Sequence, residues 1–217
     1  MTAFDSVPTY TNRAERLPCV LVLDASSSMD GAPISQLNSA LRDFENILKE
    51  DEHAKKRVRI LVIAVSSTAT KIADWTDAES FSAPTLTASG STALGPGASL
   101  ALEEARQELR RLKESGIARK VPWVWLFTDG EPDDGWESSA AALSAAHGAG
   151  EVLVYPIAVG AGANTEKLGK FEKDKHVYQC DPSSFKKLFE FISASAKSGS
   201  AKKETKVTPL FDQITTT

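Results

Sequence analysis

The sequence predicts an α/β fold: a doubly wound, Rossmann-like, mainly parallel sheet with one antiparallel edge strand and helices on both faces. Three observations predict it. The apolar runs at 19–23, 58–65 and 121–127 lack polar alternation, the pattern of strands covered on both sides. Helical patterns alternate with such runs five or six times along the chain. One stretch, Thr70-Lys71-Ile72-Ala73-Asp74-Trp75, alternates polar and apolar residues instead, as a half-exposed edge strand does.

The elements follow in order. Residues 1–16 form a polar lead-in carrying Asp5, Arg13, Glu15 and Arg16, with a short extended segment expected at 7–10. A domain is expected over 17–197. Its first strand at 19–23 leads through Gly31 and Pro33 into a helix whose apolar face is Ile34, Leu37, Leu41, Phe44, Ile47 and Leu48. That helix fades into the charged stretch 49–59, the second strand follows at 58–65, and the edge strand comes next. A loop over 76–95 carries Pro84, Gly90 and Gly95. Leu100, Leu102, Ala105, Leu109 and Leu112 mark one face of a long helix. The strand at 121–127 ends at Thr128-Asp129-Gly130, and an alanine-rich helix over 136–147 is closed by Gly148 and Gly150. A strand at 152–159, a short helix at 165–171, a small strand at 176–180 and a last helix at 183–196 complete the pattern. Asp181-Pro182-Ser183 starts that last helix with a capping side chain and then a proline. The tail, 198–217, is rich in Ser, Lys and Thr and reads as disordered or as an attachment segment.

Composition bounds the function. The 217 residues suit one α/β domain with a substantial core, and a hydrophobic content of 41% with 25% charged residues is that of a globular protein. A net charge of −4, with no basic stretch interleaved with aromatics, gives no reason to expect nucleic acid. No apolar run approaches the ~20 residues of a membrane span, and the start lacks the apolar core of a signal peptide. Cys19 and Cys180 adjoin strands and read as buried reduced thiols, which points to the cytoplasm.

The chemistry concentrates in three loops. The first carries Asp24, Ser26 and Ser28 at the end of the first strand. The second, Gly90-Ser91-Thr92-Ala93-Leu94-Gly95, offers Thr92 just before a helix, and the third offers Asp129. Hard oxygen donors without His or Cys suit Mg²⁺, Mn²⁺ or Ca²⁺ rather than zinc. Without a metal, Asp24 and Asp129 are expected to repel each other, so that one titrates upward. Each Asp or Ser taken alone could be a helix cap; three loops in order, each at a strand end, point to a site.

Asp-x-Ser-x-Ser, Thr in a Gly-x-Thr loop and Asp in Thr-Asp-Gly together resemble the metal-ion-dependent adhesion site (MIDAS) of von Willebrand factor A domains. The resemblance spans about residues 17–197. It implies a non-enzymatic module in which both serines and the threonine reach a divalent ion directly, while the aspartates act partly through water. A coordination position is left for an Asp or Glu of a partner protein. Ser27 stands where the family commonly has glycine, a substitution that costs strain if the backbone there needs positive φ. Ser28-Met29-Asp30-Gly31-Ala32-Pro33-Ile34, Thr128-Asp129-Gly130-Glu131-Pro132 and Tyr155-Pro156-Ile157-Ala158-Val159-Gly160 look like bacterial tellurium-resistance proteins of the TerY type. That likeness implies a cytoplasmic adaptor, often encoded beside a protein kinase and a PP2C-type phosphatase.

The competing reading is a metal-dependent phosphoryl-transfer enzyme with Asp24 as nucleophile. Dehalogenase-type phosphatases place an acid-base Asp two residues later, where this chain has Ser26. A receiver-like or nucleotide-binding domain lacks its phosphate loop here: Gly160-Ala161-Gly162-Ala163-Asn164-Thr165 has Thr at the third glycine position. Glu131, Asp133 and Asp134 read as a solvated cluster at a helix start. Trp123 and Trp125 share one strand face and read as core, while Trp75 and Trp136 are expected to be partly buried. His53, His147 and His176 are scattered, on two helix ends and a strand, and none adjoins a nucleophile.

Overall fold

The first strand, β1 (Leu17–Asp24), is buried along its whole length, which is why its residues show no polar alternation. A computed structural model describes residues 12–133 and 135–198; the extended segment expected at 7–10, Asp134 and all but the first residue of the tail lie outside them. β1 is followed by the helix α1 (Ala32–Glu50), a one-turn helix α2 (Ala54–Arg57), β2 (Val58–Val65) and β3 (Ala69–Asp77). Then come α3 (Leu94–Glu114), β4 (Trp123–Thr128), α4 (Glu137–Gly148), β5 (Leu153–Val159), α5 (Thr165–Gly169), β6 (Tyr178–Cys180) and α6 (Phe185–Ser198).

The six strands form one sheet in the order β3-β2-β1-β4-β5-β6. All neighbours are parallel except β2 and β3, and β3 is the half-exposed edge that its alternation predicts. Alternate residues of β1 feed two cores. Cys19, Leu21 and Leu23 pack with α1 and α6 on one face; Val20 and Val22 pack with α3 and α4 on the other. Trp123 and Trp125 lie in the first core, with the Trp125 ring stacked on Tyr155 at 4.2 Å. Trp75 is half-buried as expected, whereas Trp136 is 5% exposed and tilts against Phe171 at 5.7 Å.

Among the boundaries that differ from the sequence reading, two have clear local reasons. α3 begins at Leu94, within the stretch expected as loop, because Pro96 falls in its first turn, where a missing N–H has no helical partner to lose. The charged stretch after α1 hides α2, whose single turn is too short to show a periodic face. Cys19 and Cys180 are both buried free thiols. They sit on β1 and β6, three strand spacings or about 14 Å apart, well beyond the ~7 Å limit between the Cα atoms of a disulfide. Burial pushes both thiols up to about 12. Among the described residues no helix is long and apolar enough to cross a membrane.

This topology places the site. The chain runs outward from β1 to β2 and β3, then returns to build β4, β5 and β6 on the other side. β1 and β4 therefore flank the switch point, where the loops leaving neighbouring strands part and open a crevice at their carboxyl ends.

Candidate metal centre at the switch point

Asp24 is the last residue of β1 and has no exposed surface. Its Oδ1 accepts a hydrogen bond from the Ser26 amide at 2.8 Å, closing a tight turn. Its Oδ2 accepts from the Thr128 hydroxyl at 2.6 Å, across to the end of β4. The turn is anchored on its outer side as well: the Ser27 amide donates to the Gly90 carbonyl at 3.0 Å and the Ser89 amide to the Ala25 carbonyl at 2.8 Å. Residues Ser27–Met29 then make a one-turn helix. Lys175 alone among the described non-glycine residues has a positive φ, so Ser27 carries none of the strain that its departure from glycine suggested.

The hydroxyls of Ser26 and Ser28 lie 2.9 Å apart, and Ser28 Oγ donates to Asp129 Oδ1 at 2.6 Å. Thr92 is 6% exposed and reaches the same place from the loop before α3. A Cβ built on Gly130 would stand 3.7 Å from Thr92 Oγ1 and 3.8 Å from Ser28 Oγ, so both hydroxyls face the space that glycine leaves open. The structure thus brings together all five residues that the sequence singles out, Asp24, Ser26, Ser28, Thr92 and Asp129, from three separated loops.

Two further residues position them. Thr128 is fully buried and orients the Asp24 carboxylate; the sequence shows it only as part of the Thr-Asp-Gly motif. Asp133 clasps the second loop, accepting from the Thr92 amide at 3.2 Å and from Ser91 Oγ at 2.7 Å, while its own amide donates to the Thr92 carbonyl at 2.9 Å. Asp133 is exposed, as a solvated acid at a helix start is expected to be, and in addition it holds the Thr92 loop. Glu131 is likewise engaged, by Asn164 at 2.8 Å and Lys167 at 2.9 Å. No local pattern flags these contacts, because each joins loops more than thirty residues apart.

Electrostatics favour a cation here. Burial raises the Asp24 carboxyl above the ordinary value; the Thr128 and Ser26 hydrogen bonds oppose this, and the Asp129 charge adds a smaller upward push. The direction is the one expected from repulsion, but desolvation is its first cause and the Asp129 charge its last. Two carboxylates and three hydroxyls, with no nitrogen or sulfur donor, fit a hard divalent ion that keeps waters in its shell. As a nucleophile Asp24 is poorly placed, being buried with both oxygens engaged.

A family model for the von Willebrand factor type A domain matches residues 19–193. The chain belongs to that family. Domains of this family are typically interaction modules rather than enzymes. Among solved structures, proximal thread matrix protein 1 from the mussel byssus is 21% identical with a TM-score of 0.59, covering 85% of this chain and 47% of that one. A form of the same byssus protein with a zinc-occupied MIDAS motif is 16% identical with a TM-score of 0.57, over 83% of this chain and 48% of that one. A von Willebrand factor type A protein from Catenulispora acidiphila is 17% identical with a TM-score of 0.57, over 85% and 43%. The chain thus spans about half the length of these structures. A comparison with curated proteins finds no match.

Proposed function

We propose that this von Willebrand factor A domain is a metal-dependent protein-interaction module, an adaptor that grips an Asp or Glu of a partner through a divalent ion. Asp24, Ser26, Ser28, Thr92 and Asp129 hold the ion. Mg²⁺ is the first choice, and Mn²⁺ or Ca²⁺ suit the same donors. The ion supplies a Lewis-acid position for the incoming carboxylate; two protein carboxylates neutralise a divalent ion only formally and leave it electrophilic. The supporting observation is the chain of contacts Ser26 Oγ to Ser28 Oγ to Asp129, set beside Asp24 and Thr92 at the switch point. On the motif likeness to TerY-type proteins, the partners are a protein kinase and a PP2C-type phosphatase in a bacterial stress system. The buried thiols agree with a cytoplasmic setting.

Manganese titration by electron paramagnetic resonance tests the metal. One Mn²⁺ per chain should bind at these loops, be displaced by Mg²⁺, and be lost in Asp129→Ala with the far-ultraviolet circular dichroism unchanged. Affinity capture with the kinase and phosphatase encoded nearby tests the adaptor role. Retention in Mg²⁺ and release in EDTA is the expected result; equal retention in EDTA, or in Asp129→Ala, rejects it.

A further inference from the structure

A second cluster of ligand groups lies at the other end of the sheet, where α4 finishes before β5 and where the chain turns from α5 into β6. The turn at 170–177 wraps one carboxylate. Glu172, 4% exposed, accepts through Oε2 from the amides of Asp174 at 2.7 Å and His176 at 3.0 Å. His176, which precedes β6 rather than lying in it, holds Nδ1 3.7 Å from the same Oε2. One ligand atom from each of Glu172, Asp174 and His176 falls within 4.8 Å of the others.

An independent observation comes from α4. The His147 side chain is nine-tenths buried and aims Nδ1 at Glu172, 3.1 Å from its Oε1. The two atoms are in ion-pair contact but short of hydrogen-bond geometry. A buried ring nitrogen facing a carboxylate oxygen without a hydrogen bond is costly as it stands. Two ligands on a tetrahedral zinc ion, each at the usual bond length, stand about 3.3 Å apart, near the 3.7 Å between His176 Nδ1 and Glu172 Oε2. Imidazole nitrogens mixed with carboxylates suit Zn²⁺ and its neighbours, in contrast to the all-oxygen set at the switch point.

We infer that Glu172, Asp174 and His176 form a second cation site for a zinc-type ion at the turn before β6, with Glu172 held from the end of α4 by His147. The Lys173 ammonium pairs with Asp174 here, a contact that the ion would replace. The site owes nothing to the partner-binding loops.

Zinc titration of the full chain against a colorimetric chelator tests this, in the Asp129→Ala background so that the other loops do not compete. The expected result is one Zn²⁺ per chain, untouched by millimolar Mg²⁺. Adding His176→Ala should weaken it by at least about tenfold, and adding His147→Ala should do the same. His176 is 68% exposed on its side chain, so its removal keeps the metal-free melting temperature at the parent value and isolates the ligand role. No zinc uptake in Asp129→Ala, or uptake unchanged by His176→Ala, overturns the inference. Because Asp129 is absent throughout, either outcome leaves the manganese experiment independent.

Discussion

Asp24 shows how much of the site one residue carries. Its position at the end of an apolar strand was legible in the sequence, since β1 is the first run without polar alternation. Its hydrogen bond from Thr128 was not legible, because Thr128 lies 104 residues away and is buried beside it only once β1 and β4 pair; the one from Ser26 is a local turn. Thr128→Val removes that donor at constant shape and leaves a buried carboxylate oxygen unpaired. The expected cost is about 1–3 kcal/mol in urea denaturation. The clasp made by Asp133 was illegible for the same reason: its partners Ser91 and Thr92 belong to another loop. Asp133→Ala should leave stability within about 0.5 kcal/mol, as for exposed positions in general. Mn²⁺ affinity should fall by about tenfold, the scale for groups that orient ligands. An unchanged manganese titration would show that the Thr92 loop keeps its shape unaided.

Among the elements, α3 depends on a glycine that no periodicity explains. A Cβ on Gly97 would meet Val65 Cγ2 at 2.6 Å and Val22 Cγ1 at 3.2 Å, so this helix lies against β1 and β2 too closely for any side chain. Gly97→Ala should therefore destabilise by about 1–3 kcal/mol, the range for overpacking, despite alanine's better helix propensity. The short turn at 182–184 that leads into the last helix is the opposite case and follows from local rules. Asp181 accepts from the Ser183 amide at 2.9 Å, as a cap residue before a proline should. Asp181→Ala should cost about 1 kcal/mol. The Ser183 hydroxyl and amide hold the Asp181 carboxyl below its ordinary value of 3.8. A lowered acid stabilises the fold fully above its unfolded pKa, and the contribution is lost as pH falls through the folded value. Acid unfolding between about pH 5 and 2 should thus be shallower in Asp181→Asn, by an amount that solvent screening keeps small.

For the molecule as a whole, the aromatic stack under α6 ties the ends of the domain together. Phe189 packs on Phe44 of α1 at 4.9 Å and stacks on Phe127 of β4 at 5.7 Å. Phe189→Ala should cost about 3–5 kcal/mol, a large share of the 5–15 kcal/mol that holds a typical domain together. A smaller loss, read from the midpoint of urea unfolding at unchanged slope, would mean that α6 is a loosely docked appendage. Strand identity, the edge character of β3 and the three ligand loops were all readable in the chain, because burial and capping act between near neighbours and leave periodic marks. The order β3-β2-β1-β4-β5-β6, the clasp of Asp133 on Thr92 and the meeting of His147 with Glu172 came only with tertiary structure. Apart from the β2–β3 hairpin they join residues 21 to 104 positions apart, and such pairings are chosen by packing and sheet register, which leave no local period to read.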